Sequence, residues 1–213
     1  AAAHADAPAL ETGLTRDQAF DLLKKYNEDP FHIAHGQTLE GLMRYYAQKY
    51  DPANVEFWGQ VGLLHDLDWE KFQDEVQQAQ AKAAPVVQEE KPKKEKPKRP
   101  GGTKELARAI QTHNSDNNPD LPVPSCKMEC VLFACDELSG LIQAAVLMRP
   151  SKSVMDFELK SLKKKFKDKR FAAGCDRDVI RKGAELNGME LDDLFASVIE
   201  AMKAIQPPCE GVE

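Results

Sequence analysis

Between Met128 and Val146 the apolar residues Met128, Val131, Leu132, Cys135, Leu138, Ile142, Ala145 and Val146 recur at helical spacing. They mark a wide apolar stripe on one long helix. No stretch of the chain alternates with strand period for more than a few residues, so the expected fold is all-α. Asp136 interrupts the apolar stretch. A buried carboxylate without a partner is costly, so Asp136 should face a cation, an arginine or a metal.

Helix signals recur along the rest of the chain. Thr15 with Gln18 has the form of a capping box and opens a helix to about Tyr26, with Phe20, Leu22 and Leu23 as core candidates. Asp29-Pro30 opens the next, which carries Leu39, Leu42, Met43 and Tyr46 and ends before Asp51-Pro52. A buried helix is expected over 55–64 and a shorter one over 71–84. Further on, Thr103 starts a helix reaching His113, and Ser125 is the expected cap of the long apolar helix. Arg149-Pro150 ends that helix, and a basic amphipathic helix follows from Ser153 to Lys167. Asp176 caps another, Asn187-Gly188 stops it, and Leu191, Leu194, Phe195, Val198, Ile199 and Met202 define the last.

Residues 85–104 break the pattern. Pro85, Pro92, Pro97 and Pro100 alternate with lysines and Glu89, Glu90 and Glu95, then Gly101-Gly102. Such a segment reads as a solvated linker inserted in a surface loop. The expected organisation is a single compact helical bundle over residues 15–205 carrying that insert. A frayed tail is expected over 1–14 and another over 206–213. With 213 residues, 42% of them hydrophobic, the chain can bury one good core. A net charge of −6 argues against a general nucleic-acid binder. No run of about 18 apolar residues is present, so no membrane span is expected. The five cysteines lack metal-ribbon spacing and read as reduced thiols, which points to a cytoplasmic protein. The chain begins at Ala1 rather than Met, which fits a processed end, a cloning remnant or a mature end after export.

The buried stretch from Trp58 ends in His65-Asp66, followed by Asp68 and Glu70. Burying a core does not require an imidazole and a carboxylate there. Together they suit Mn, Fe, Co, Ni or Zn better than Mg or Ca. His35 near the start of one helix, His65-Asp66 ending the next and Asp136 in a later one could meet only if three helices converge.

That order resembles the HD-domain metal-dependent phosphohydrolases, most closely their HDIG-type subgroup. The stretches that carry the likeness are HGQTLEGLMRYYA from His35, WGQVGLLHDLDWEKFQDE from Trp58, AIQTHN from Ala109, VLFACDELSGLIQAAVLMRPSKS from Val131, LKSLKKKFKDKRFAAG from Leu159 and IRKGAELNGMELDDL from Ile180. They span most of residues 15–205 apart from the linker.

The resemblance implies an HD-type bundle in which His35, His65, Asp66 and Asp136 hold one divalent metal ion. It also implies hydrolysis of a phosphate ester such as a nucleotide by metal-activated water. Asp68 or Glu70 would serve as general acid or base; a helix-end acid in water is the competing account of both. Arg149, Lys152, Lys160 and Lys163 are candidates to hold substrate phosphate, against the alternative of a solvated basic face. His113 matches a ligand of the two-metal members. Many relatives carry another His shortly after the His-Asp pair, whereas here Phe72-Gln73-Asp74-Glu75 is followed by Val76. That departure, with the linker, supports a second reading: a catalytically weak or inactive module of the same fold that binds a phosphorylated ligand or a protein partner. His32, one turn before His35, is the other candidate for the first ligand.

Overall fold

The apolar stripe forms the central helix of a helical bundle. The computed structural model describes residues 9–67, 103–113, 115, 116 and 119–206. Among them are eight α-helices and no strand: α1 (Arg16–Tyr26), α2 (Pro30–Tyr50), α3 (Val55–Leu64), α4 (Lys104–Thr112), α5 (Lys127–Leu147), α6 (Leu159–Lys167), α7 (Arg177–Leu186) and α8 (Leu191–Ile205). Single 3-10 turns cover Pro52–Asn54 and Val154–Asp156. The expected helix over 71–84 and the insert over 85–102 lie outside the described residues.

Helix α5 packs on α2, α4, α6, α7 and α8, and α3 lies along α2. Leu132, Leu138, Leu141 and Ile142 of α5 are fully buried, as are Leu39, Leu42 and Met43 of α2. By length and composition alone α5 is apolar enough to cross a membrane, one 18-residue window of it having a mean hydropathy of 1.6, although Asp136 and Glu137 interrupt its apolar run. Here 61% of that stretch is buried inside the fold, so its apolar face is taken up by neighbouring helices.

The caps read from sequence form where the side chains can reach orphan backbone donors. Thr15 Oγ1 accepts from Gln18 N (3.2 Å) and Gln18 Oε1 from Thr15 N (2.9 Å). Asp29 accepts from Phe31 N, and Asp176 from Asp178 N and Val179 N. Gly188 stops α7 with a φ of 63°, a backbone conformation that glycine adopts without strain.

Three expectations change. Cys126, not Ser125, is the N-cap of α5. Ser125 instead donates from its N–H (2.7 Å) and hydroxyl (3.1 Å) to Glu129, which ties the residue before the N-cap to the first turn, while Cys126 makes no side-chain cap bond. The basic helix does not run unbroken from Ser153: α6 starts at Leu159, after the 3-10 turn and an extended Phe157. On a continuous helix Phe157 would point about 140° away from Leu162 and about 180° away from Phe166, so such a helix could not bury both Phe157 and the Leu162–Phe166 face. The break lets it bury both. Finally, the tail is bonded from Leu10 onward: Leu10 N donates to Asn54 Oδ1 (2.7 Å), and the Thr103 hydroxyl donates to Glu11 O (2.8 Å). Thr103 Oγ1 also accepts from Leu106 N, so the same hydroxyl caps α4.

Helices α2 and α3 meet backbone to backbone. A Cβ on Gly62 would lie 2.4 Å from Leu39 O, and one on Gly36 would lie 2.9 Å from Leu63 O. Gly140 in α5 differs, since a Cβ there meets nothing within 4 Å. Gly62→Ala is therefore expected to cost about 1–3 kcal/mol through overpacking against backbone. Gly140→Ala is expected to gain about 0.5–1 kcal/mol, because helical glycine carries an entropic cost that alanine lacks. Urea unfolding of the two variants beside the parent measures both, and equal shifts would overturn the packing argument.

Candidate metal centre

His35 sits in the second turn of α2 and Asp136 midway along α5, while His65 is the C-cap of α3 with Asp66 next to it. Their donor atoms converge. His35 Nε2 and His65 Nε2 are 3.1 Å apart, and Asp136 Oδ1 lies 3.0 Å from the first and 3.1 Å from the second. Asp66 Oδ2 is 3.4 Å from His65 Nε2. One donor atom from each of the four residues lies within 4.8 Å of every other.

Local chemistry aims the imidazoles. A helix end leaves carbonyl oxygens without intrahelical partners. His65 uses one of them: its Nδ1 donates to Gly62 O at 2.7 Å. His113, the C-cap of α4, does the same with Ile110 O at 2.6 Å. A carbonyl can only accept, so Nδ1 carries the hydrogen in both rings and the neutral form presents Nε2 as a lone pair. A metal-ligating imidazole is oriented in this way.

The donor set fits a transition-metal ion. Two ligand atoms bonded at about 2.1 Å and at right angles are roughly 3.0 Å apart, the spacing found among His35, His65 and Asp136. Two nitrogens and two carboxylates suit Mn, Fe, Co, Ni or Zn. Two imidazole lone pairs 3.1 Å apart repel unless a proton or a metal stands between them. Burial works against a charge on His65, but Asp66 and Asp136 outweigh it and hold its pKa well above the ordinary imidazole value. Burial likewise opposes a charge on Asp66, yet His65 and His113 hold that carboxyl well below its usual range. Asp136 is also lowered against burial, chiefly by His65 and by the bond to His35. His113 is raised against burial by its hydrogen bond to Asp66.

His113 Nε2 faces the other oxygens of the same two acids, 3.2 Å from Asp66 Oδ1 and 3.9 Å from Asp136 Oδ2. A second-site role for His113 would therefore draw on acids already assigned to the first. His32 stands edge-on to Phe31 and is not in the donor set.

The remaining candidates are placed differently. Asp68, Glu70 and Val76 lie outside the described residues. Arg149 pairs with Asp156 (3.3 Å) and donates to its carbonyl (3.1 Å), while Lys163 pairs with Asp192 (2.7 Å). Lys152 is exposed in the turn after α5, with a φ of 46°. Lys160 and Lys163 line a depression on the outer face of α6 to which no residue of the His–Asp cluster contributes. Sequence reasoning missed Glu137. Burial first, and then Asp136, push its carboxyl up to about 7, and it accepts from Asp176 N at 3.3 Å. Its only sequence signal is an acid beside Asp136 in an apolar helix.

No protein-family model, no curated protein and no solved structure matches this chain. The site therefore has to be read from its own donor atoms.

Because metal competes with protons for the same nitrogens, adding Zn²⁺ or Mn²⁺ to the stripped protein at pH 7 should release protons. Affinity should fall about tenfold per pH unit for each proton displaced. Calorimetry in buffers of differing ionisation enthalpy measures this, and no proton release would remove His65 from the ligand set. Metal-free stability has two limbs. The raised imidazoles contribute fully below about pH 6.5 and lose that contribution as pH rises through their folded values. The lowered carboxylates contribute fully above about pH 4 and lose it as pH falls. Thermal unfolding of chelated protein should therefore show a dome between these limits that flattens in His65→Ala/Asp66→Ala.

Proposed function

We propose that the chain is a metal-dependent phosphohydrolase of the HD-domain type, acting on a small phosphate ester such as a nucleotide. The observation that carries the reading is the convergence of His35, His65, Asp66 and Asp136 from two helices and the end of a third, with the His65 ring turned inward by Gly62 O. The resemblance to the HDIG-type subgroup supplies the reaction class. These four residues would hold the ion. When bound, the ion would supply a lowered pKa for water and polarisation of a phosphoryl oxygen. Asp68 and Glu70, just past Asp66 in sequence, are the proposed proton-transfer groups. The four described cysteines are free thiols, which fits a reducing, cytoplasmic setting.

Open space beside the cluster supports a substrate rather than a purely structural ion. Gly140 lies one helical turn past Asp136, and nothing fills the space above it. Asp136 keeps 19% and Asp66 27% of its side-chain surface exposed, so the donors are reachable. Gln143, a further turn along α5, donates to Thr38 Oγ1 of α2 at 3.2 Å and ties the two ligand-bearing helices together.

The second reading, a silent module that binds a phosphorylated ligand or a protein partner, is favoured by one observation. Arg149 and Lys163, candidates for substrate phosphate, are bonded to Asp156 and Asp192.

The test is hydrolysis of p-nitrophenyl phosphate and of a nucleoside monophosphate panel by protein loaded in turn with Mn, Fe, Co, Ni and Zn. Turnover with at least one metal is expected, with a loss of at least about 100-fold in His65→Ala/Asp66→Ala. Gly140→Leu is expected to keep its metal and lower kcat/KM about tenfold or more by filling the open space. Bound metal without turnover of any ester would favour the binding module.

A further inference from the structure

Helix α6 concentrates positive charge in a chain whose net charge is −6. Lys160, Lys163, Lys164 and Lys167 stand at i, i+3, i+4 and i+7, so they share one face of the helix. They form four like-charge neighbours at three- or four-residue spacing, each of which destabilises a helix. The helix dipole favours the lysines of the last turn but opposes Lys160 in the first. Compensation by acids is sparse. Among the described residues Lys163 reaches Asp192, whereas Lys160, Lys164 and Lys167 have no acidic partner.

This face adjoins a shallow depression on one side and a cleft on the other. On one side it lines the depression shared with Glu158 and Leu159. On the other, Lys163 and Lys167 reach over a cleft of about 770 Å³ whose rim also carries Lys169, Arg177 and Arg181. The acids of that cleft are occupied: Asp192 by Lys163, Asp178 by Arg181, and Asp176 by the backbone of α7. The wall is rigid for a loop. Arg177 donates to the carbonyls of Phe171 (2.5 Å), Ala172 (2.6 Å), Cys175 (2.9 Å) and Asp168 (3.1 Å), clamping the turn after α6. None of His35, His65, Asp66, His113 and Asp136 lines the cleft, although Cys175 at one end of it donates to Glu137 O (3.5 Å).

We propose that the lysine face of α6 and the adjoining cleft form a binding site for a small, multiply phosphorylated anion. Several unpaired ammonium groups on one face match several phosphates on one ligand, with lysine acting as a point charge. The cleft has the volume of a small-molecule site. A nucleic acid fits less well. Strand binding needs exposed aromatic faces for the bases, and the aromatic residues lining the cleft, Phe166 and Phe195, are 6% and 1% exposed. The overall negative charge also repels a long polyanion.

The test is calorimetric binding of inorganic tripolyphosphate to the full chain at low salt. Lys164→Glu/Lys167→Glu is expected to weaken it at least about tenfold, with a smaller salt dependence. His65→Ala/Asp66→Ala should change it less than about twofold, as should Lys49→Glu/Lys104→Glu, which makes the same change in net charge elsewhere. If the Glu pair lowers the melting temperature, Lys164→Gln/Lys167→Gln gives the same readout without charge reversal. An equal loss in the remote pair would mean net charge alone, and a loss in the His65/Asp66 variant would put the phosphate at the metal centre. Tighter binding of a single-stranded oligonucleotide through the same lysines would reassign the face to nucleic acid. Any of these three results overturns the proposal.

Discussion

Where α2 crosses α3 the two backbones approach with no side chain between them. Gly36 lies against Leu63 O and Gly62 against Leu39 O, each occupying space that a methyl group would need. Gly36 is next to His35, and Gly62 O accepts from His65 Nδ1. The contact that docks the helices therefore also sets the distance between the two imidazoles and the direction in which one of them points. Asp136 completes the group only because α5, wrapped on several sides, is held against α2.

Burial then turns a loose collection of donors into a demanding one. His65 is fully buried and His113 nearly so, and both face carboxylates. Each residue shifts the others toward the charged state against the cost of desolvation, so the cluster is stable only as a set. A cation at its centre, proton or metal, is what the geometry asks for. The same economy of charge is absent on α6, where lysines crowd one face with little acid to answer them. The two regions thus pose opposite electrostatic problems, one solved by a cation and the other by an anion.

Much of the scaffold was legible from residue order. The capping box at Thr15, the Asp29-Pro30 start, the Asp176 cap and the Gly188 stop are local devices, so their form does not depend on distant residues. The misread elements are those where tertiary packing overrode local preference. Phe157 broke the basic helix because its ring is buried on the side a continuous helix would expose. Ser125 bonds to Glu129 instead of capping the helix, and the segment from Leu10 was held by Asn54 and Thr103, which no local signal announces.

By itself the sequence determined most of the helices among the described residues, the faces they bury, and that an acid in an apolar helix needs a partner, since these follow from spacing and desolvation. It also marked His35, His65, Asp66 and Asp136 as worth bringing together. Only the tertiary structure decided that they do meet, that His113 faces the second oxygens of the same acids, and that Lys163 reaches Asp192 on the outer face of α6. The reason is physical: periodicity fixes direction about one helix axis, whereas distances between helices depend on what packs at their crossings. Here that is two glycines with no side chain to keep the backbones apart.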